Sequence, residues 1–248
     1  MNILQAKKIN KFFQTGDQKI HILKDISLTI REGDFLTIMG PSGSGKSTLL
    51  YALSAMDQVD SGQILLREKD IGKMTEEEAS LMRLNTMGFV FQSPSMIKSL
   101  NLIDNICLVA YKQQKKNREE IYAKAEQFME KTGIDYLKDR AVNKVSGGEL
   151  QRAAICRALM NDPLIIFGDE PTGALNSKSS EEIIQLFKEL NEEGKTIVLV
   201  THDPKVAIAS KKVLFLRDGR IEEEVNLENL SSAQRRNRVL DTMKALNI

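Results

Sequence analysis

Gly40-Pro41-Ser42-Gly43-Ser44-Gly45-Lys46-Ser47-Thr48 lies between an apolar run, Phe35 to Met39, and a helix-like run, Thr48 to Met56. Glycines let a chain curl so that successive backbone N–H groups face one centre, and a following helix adds the positive end of its dipole there. The guest that suits such a loop is a polyphosphate. Lys46 is placed to reach the β- and γ-phosphates as a point charge, and the Ser47 hydroxyl to ligate the Mg²⁺ that bridges them. A Gly/Ser-rich turn ahead of a helix is the plain alternative, and the strand, loop, helix order weighs against it.

Working outward, 248 residues are enough for one large α/β core with room for an inserted subdomain. Lys plus Arg total 35 against Asp plus Glu 34, a net charge of +1, so nothing global attracts nucleic acid or acidic substrates. Cys107 and Cys156 stand in apolar surroundings, as expected of reduced core thiols in a cytoplasmic protein rather than of a disulfide framework. Met1-Asn2-Ile3-Leu4-Gln5 lacks a charged segment followed by an apolar one, and no window approaches 18 apolar residues. By itself the chain is expected neither to enter a membrane nor to be secreted.

Ahead of the loop, short alternating runs (Ile3 to Ala6, Ile26 to Ile30, Phe35 to Met39) read as strands separated by turns at Thr15-Gly16-Asp17-Gln18 and Arg31-Glu32-Gly33-Asp34. Lys11-Phe12-Phe13 carries two aromatics that suit core packing. Behind the loop, Ser61-Gly62-Gln63 reads as a turn into a strand at Ile64-Leu65-Leu66, and Thr75-Glu76-Glu77-Glu78 as a capping box opening a helix to about Asn85. Met87 to Phe91 is a compact strand ending at Gln92, broken by Ser93-Pro94-Ser95. Residues 95 to about 161 read as helical throughout, including a helix capped by Asn117 with Ile121, Ala125, Phe128 and Met129 on one face and Gly133 at its end. The cluster Lys112, Lys115, Lys116 and Arg118 reads as a solvated connection.

Leu164 to Phe167 is a buried strand ending in Gly168-Asp169-Glu170, which puts two carboxylates where open α/β sheets place ligand chemistry. A helix from Ser177 with Ile183, Ile184, Phe187 and Leu190 facing inward closes at Gly194. A strand from Thr196 to Val200 ends at Thr201-His202-Asp203-Pro204, and Val213 to Ile221 forms a hairpin through Asp218-Gly219. The tail then places Val239, Leu240, Met243 and Leu246 at helical spacing.

Val145-Ser146-Gly147-Gly148-Glu149-Leu150-Gln151-Arg152, shortly before the Asp169-Glu170 strand, resembles the signature segment of ABC transporter nucleotide-binding subunits. The resemblance runs from the Phe13 region to Gly219. It implies an α/β fold: a P-loop NTPase core with an N-terminal antiparallel β layer and an inserted α-helical subdomain at about 93–161. One nucleotide-binding domain over 1–225 would precede an amphipathic helical tail, 226–248. The implied cofactors are ATP and Mg²⁺. Phe13 takes the place of an adenine-stacking aromatic, with Phe12 as the fallback. Asp169 resembles the Walker B carboxylate that holds Mg²⁺, and Glu170 the base that polarises the attacking water. Gln92 resembles the Q-loop glutamine near Mg²⁺ and the γ-phosphate, and His202 the switch histidine. His21 has no such context and is left to surface or packing. Ser146, Gly147, Gly148 and Glu149 would complete the phosphate site of a second copy, so that two chains sandwich two ATP molecules.

The chain departs from the family pattern at Val145 (usually leucine), Glu149 (usually glutamine) and Asn176 (usually aspartate, in Gly173-Ala174-Leu175-Asn176). The Glu149 charge near phosphates is expected to weaken closure. Asp169 to Leu175 and Gly88 to Gln92 resemble the group with lipoprotein-releasing, macrolide-export, cell-division and peptide-antibiotic-resistance ATPases, bacitracin-type resistance transporters foremost. That resemblance implies a membrane permease docking near Ser93-Leu108, a peripheral place on the cytoplasmic face of the membrane, and export or mechanotransmission as the output. A soluble or cell-division-associated ABC ATPase is the runner-up. A nucleic-acid-bound one would bring tandem cassettes, a coiled coil or a basic patch, which the sequence lacks.

Overall fold

Residues 1–16, 18–113 and 117–248 are described by the structure, a computed structural model. Asp17 of the first expected turn and Lys115 and Lys116 of the basic cluster lie outside them. Two sheets share the chain. The first is antiparallel, ordered β2-β1-β4-β5, from β1 (Asn2–Thr15), β2 (Gln18–Arg31), β4 (Ser61–Leu66) and β5 (Lys69–Asp70). The second runs β10-β9-β3-β8-β7-β6. It comprises β3 (Phe35–Met39), β6 (Met87–Phe91), β7 (Ile165–Asp169), β8 (Thr196–Thr201), β9 (Lys212–Arg217) and β10 (Arg220–Asn226). All its pairings are parallel except that of β9 with β10.

The first two strands are far longer than the short runs expected. Register shifts between Ala6 and Ile9 and between Ile9 and Lys11 interrupt the alternation, so one bulged strand looks like fragments in sequence. Ser61-Gly62-Gln63, expected as a turn, already belongs to β4. At the second hairpin Asp218 and Gly219 both take positive φ, +47° and +78°, as a type I′ turn requires.

Every residue of β3 and β8 is buried, which is why these strands read as near-continuous apolar runs, broken only by Thr37 within β3 and the terminal Thr196 and Thr201 of β8. Helix α1 (Lys46–Leu53) buries Leu49, Leu50, Ala52 and Leu53 between the two sheets. Helix α2 (Glu76–Thr86) opens with the expected capping box between Thr75 and Glu78. The helical stretch contains α3 (Leu102–Gln113), α4 (Arg118–Lys131) and α5 (Gly147–Leu159), around a core that includes Ile106, Met129 and both cysteines. Burial pushes each thiol up to about 12, so both stay protonated and inert, as core thiols do.

Helix α6 (Ser177–Glu192) packs Ile183, Phe187 and Leu190 on the opposite face of the large sheet. Beyond β8 comes α7 (Pro204–Ala209), and the chain ends in α8 (Ser232–Leu246). The tail is docked: Val225, Leu227 and Val239 are buried with Phe215 of β9 and Ala207 of α7. Burying Val239 alone contributes roughly 2 kcal/mol, and Arg217 donates to the Leu246 carbonyl at 2.8 Å.

Register sets the site. Met39 pairs with Thr201, Val200 with Asp169, and Asp169 with Phe91, so the carboxyl ends of β3, β8, β7 and β6 stand level. The loop after β3, Asp169-Glu170, Thr201-His202 and Gln92 therefore meet along one edge of the core.

Candidate functional site

The loop between β3 and α1 wraps close against the β9–β10 hairpin. A Cβ on Gly40 would lie 2.0 Å from the Leu216 carbonyl oxygen, so a larger residue would push the loop off β9. Gly219 N–H donates to the Ser44 carbonyl at 3.1 Å and holds the loop from the same side. Gly45 turns the chain into α1 at φ +101° and offers no side-chain cap, which leaves the helix N-terminus open to an external acceptor. Pro41, Ser42 and Gly43 are exposed, and Ser47 and Thr48 are half-buried in the first turn of α1. Ser44 Oγ is buried without a protein partner. Lys46 Nζ donates to the Gly40 and Pro41 carbonyls, both at 2.9 Å. Burial lowers its pKa, while Glu170 and Asp169 act the other way.

Asp169 is gripped by both oxygens. Ser47 Oγ donates to Oδ1 and Tyr51 Oη to Oδ2, each at 3.0 Å. Burial, and then the Asp169 charge, raise the Tyr51 pKa. Glu170 takes a positive φ of +47°, and its carboxylate joins two groups at the end of β8. Thr201 Oγ1 donates to Oε2 at 3.0 Å, and His202 Nδ1 lies 2.8 Å from Oε1. An ionised carboxylate only accepts, so Nδ1 carries the proton. The His202 side chain is 72% exposed and that of Glu170 18%, so the carboxylate lies beneath a solvent-facing imidazole. The Gln92 amide lies against Gly173, where a Cβ would sit 3.0 Å from Nε2.

The turn into α5 is a capping box. Glu149 N–H donates to Ser146 Oγ at 3.4 Å, and Ser146 N–H to Glu149 Oε2 at 2.6 Å. Tyr136 Oη adds a bond to Glu149 Oε1 at 2.9 Å. These Ser146 bonds, then Tyr136, hold the Glu149 pKa down. Gly147 lies beside Leu175, and a Cβ on Gly148 would be 2.8 Å from Ser179 Oγ. Asn176 caps α6, accepting from Ser179 N–H at 2.9 Å. The signature turn and the Gly173 to Asn176 loop are thus neighbours, and their unusual residues, Glu149 and Asn176, make these bonds within one chain. Val145 packs in the helical core. Of the aromatics, Phe13 is 42% exposed, whereas Phe12 is stacked on His21 at 4.1 Å and covered by Lys19 at 4.2 Å.

The profile of the ABC transporter family matches residues 23–173, more than half of the chain, from β2 through the phosphate loop and signature turn to Asp169-Glu170. The chain belongs to the ABC transporter family. It is 44% identical to an uncharacterized ABC transporter ATP-binding protein, YvrO of Bacillus subtilis, over 88% of this chain and 95% of that protein. It is 38% identical to the macrolide export ATP-binding/permease protein MacB of Mannheimia succiniciproducens, over 89% of this chain and 34% of that protein. The chain thus spans about a third of the length of the MacB relatives it matches. Among solved structures, the dimeric post-hydrolysis cassette MJ0796 bound to ADP and Pi superimposes with a TM-score of 0.85 at 37% identity. That match covers 92% of this chain and 100% of the cassette.

As an ABC cassette the chain is an ATP-binding ATPase, with the P-loop core, antiparallel layer and helical insertion of that fold. The orphaned Ser44 hydroxyl, the uncapped α1 N-terminus and Lys46 fit a polyphosphate. The Ser47–Asp169 pair supplies two hard oxygen donors, the sparse protein ligation that suits Mg²⁺. Among the described residues no group of three His, Cys, Asp or Glu converges on a metal, and no helix is long and apolar enough to cross a membrane. Sequence reasoning missed Tyr51 and Thr201. The one available signal was Tyr51 standing four positions after Ser47, one turn along α1.

Proposed function

We propose that two copies of this chain bind two Mg²⁺-ATP between them and that hydrolysis drives a membrane permease. Each nucleotide is held by Gly40 to Thr48 of one copy and by Ser146, Gly147 and Gly148, with Glu149 behind them, of the other. The observation that carries this reading is the hydrogen-bonded row at the strand ends: Ser47 with Asp169, and Glu170 with Thr201 and His202. Lys46 and the α1 N-terminus bind the phosphates, and the exposed ring of Phe13 stacks on adenine. Ser47, Asp169 and Gln92 hold Mg²⁺, which when bound neutralises charge on the phosphoryl oxygens. Glu170 accepts a proton from the attacking water, and His202 and Thr201 keep its carboxylate oriented.

The permease is of the kind named in the MacB relatives, placing the chain peripherally on the cytoplasmic face of the membrane, with export or mechanotransmission in antibiotic resistance as the output. Its near-neutral charge gives nucleic acid no hold. The docking site is near Ser93-Leu108, where Ser93, Ser95, Ile97, Lys98 and Ser99 are exposed while Leu102, Ile103, Asn105, Ile106 and Cys107 turn into the helical core. A cavity of about 320 Å³ opens beside it between α2, β6, α3 and α5, walled by Arg83, Leu84, Phe89, Phe91, Val109 and Arg157. We assign the permease's cytoplasmic segment to it.

A composite site makes specific activity depend on concentration. Phosphate release per chain should climb with protein concentration toward a plateau, and a flat dependence would reject the two-copy site. In the same assay the double variant Glu149→Gln, Asn176→Asp is expected to turn over about tenfold faster, roughly 1.4 kcal/mol of barrier. Both residues flank the face that closes, so affinity of the single chain for nucleotide should stay within twofold by equilibrium titration. Unaltered turnover, or affinity shifting as much as rate, removes the interface explanation.

A further inference from the structure

We propose that Tyr51 is the positioning residue that aligns Asp169 for Mg²⁺, an inference that rests on the assignment of Asp169 to the metal. Tyr51 follows Ser47 by four residues on α1, so the two side chains leave the same face of one helix, one turn apart. Between them they take both oxygens of the carboxylate, Ser47 at Oδ1 and Tyr51 at Oδ2, each at 3.0 Å. Two donors on separate oxygens set the plane of the carboxylate as well as its position. The two bonds differ in kind. A serine hydroxyl turns freely about its bond, and it points a lone pair at a cation only while its proton is committed elsewhere. Oδ1 of Asp169 is that acceptor, so the direction of the Ser47 lone pair depends on where the carboxylate stands. The tyrosine hydroxyl is carried on a rigid ring packed against the core that includes Leu49, Leu50 and Leu53, and it has few orientations to lose. Tyr51 thus transfers the rigidity of the core to Asp169, and through it to Ser47.

The test is Tyr51→Phe, which keeps the ring and its packing and deletes only the donor. Binding of a fluorescent ATP analogue is titrated in EDTA and then across a series of Mg²⁺ concentrations, alongside steady-state phosphate release and thermal melting. The expected result is a half-saturating Mg²⁺ concentration raised about tenfold in both assays, equivalent to 1.4 kcal/mol. Affinity in EDTA should change less than twofold and melting should barely move. An unchanged Mg²⁺ requirement overturns the proposal. So does a loss of affinity in EDTA as large as that in Mg²⁺, because that is the signature of a ring that merely packs. Asp169→Asn separates the two levels. If it raises the Mg²⁺ requirement while Tyr51→Phe does not, only the role of Tyr51 fails; if neither does, the metal assignment of Asp169 falls and the proposal with it.

Discussion

Glu170→Gln is expected to release phosphate about 10²–10⁴-fold more slowly than the wild type while binding Mg²⁺-ATP with nearly unchanged affinity. The amide has the shape of the carboxylate and can still accept from Thr201 Oγ1, which lies 3.0 Å from Oε2. It carries the same positive φ of +47° at no new cost. What it cannot do is take a proton from water, since an amide oxygen is a far weaker base. The His202 bond at 2.8 Å changes character as well, because a neutral amide draws a weaker bond from the imidazole than a charge-assisted partner does. With binding intact and turnover blocked, the species that accumulates should be a two-chain, two-ATP assembly. Size-exclusion with mass detection, with and without Mg²⁺-ATP, measures it directly. A mass that stays at one chain with nucleotide present would argue against the sandwich, and normal turnover would move the base elsewhere.

Lys46→Ala is expected to weaken nucleotide binding by about 100-fold or more, the loss of two charge-assisted hydrogen bonds of about 1.5–3 kcal/mol each. The fold should survive. The variant loses the Lys46 bonds to Gly40 and Pro41, but the loop is also held from the β9–β10 hairpin through the close approach of Gly40 to Leu216 and the Gly219–Ser44 bond. Titration of a fluorescent ATP analogue into wild type and variant is sufficient. Affinity retained in the variant would mean that the phosphates are gripped somewhere other than this loop.

How far the site could be read in advance follows from what its chemistry tolerates. Phosphate loops, metal carboxylates and catalytic bases admit few residue types, and candidates for them stand where apolar runs end; Gly40 to Thr48, Asp169-Glu170 and His202 could be singled out for that reason, and the strand register brings them to one edge. Tyr51 could not be singled out. An aromatic on the inner face of a helix has the same pattern whether it only packs or also aims a hydroxyl, and only the 3.0 Å approach to Asp169 distinguishes them. The long β1 and β2 were hidden by their own irregularities, with Lys8 and Asp25 at positive φ of +47° and +54° where the alternation should continue. Gly62, read as a turn, has φ +95° inside β4 because the backbone at Lys8 and Ile9 passes there, within 2.4 Å of where a Cβ would stand. Docking of the tail puts Val239 in one buried cluster with Ala207 and Phe215, residues far from it in the chain that no local pattern pairs with it. The setting of Glu149 was half legible: its charge was plain from the sequence, and its bonds to Ser146 and Tyr136 were not.

Gln151 of α5 is 1% exposed and donates its amide to the Phe91 carbonyl at 3.0 Å, just where β6 gives way to Gln92. Farther along the same helix, Arg157 donates to the Ser95 carbonyl at 2.7 Å. The strand's exit is therefore moored twice to one rod. From Gln151 back to Gly147 is four residues, roughly 6 Å of helix, so the stretch from Phe91 to Ser95 and the first turn of α5 are fastened to one short rigid element.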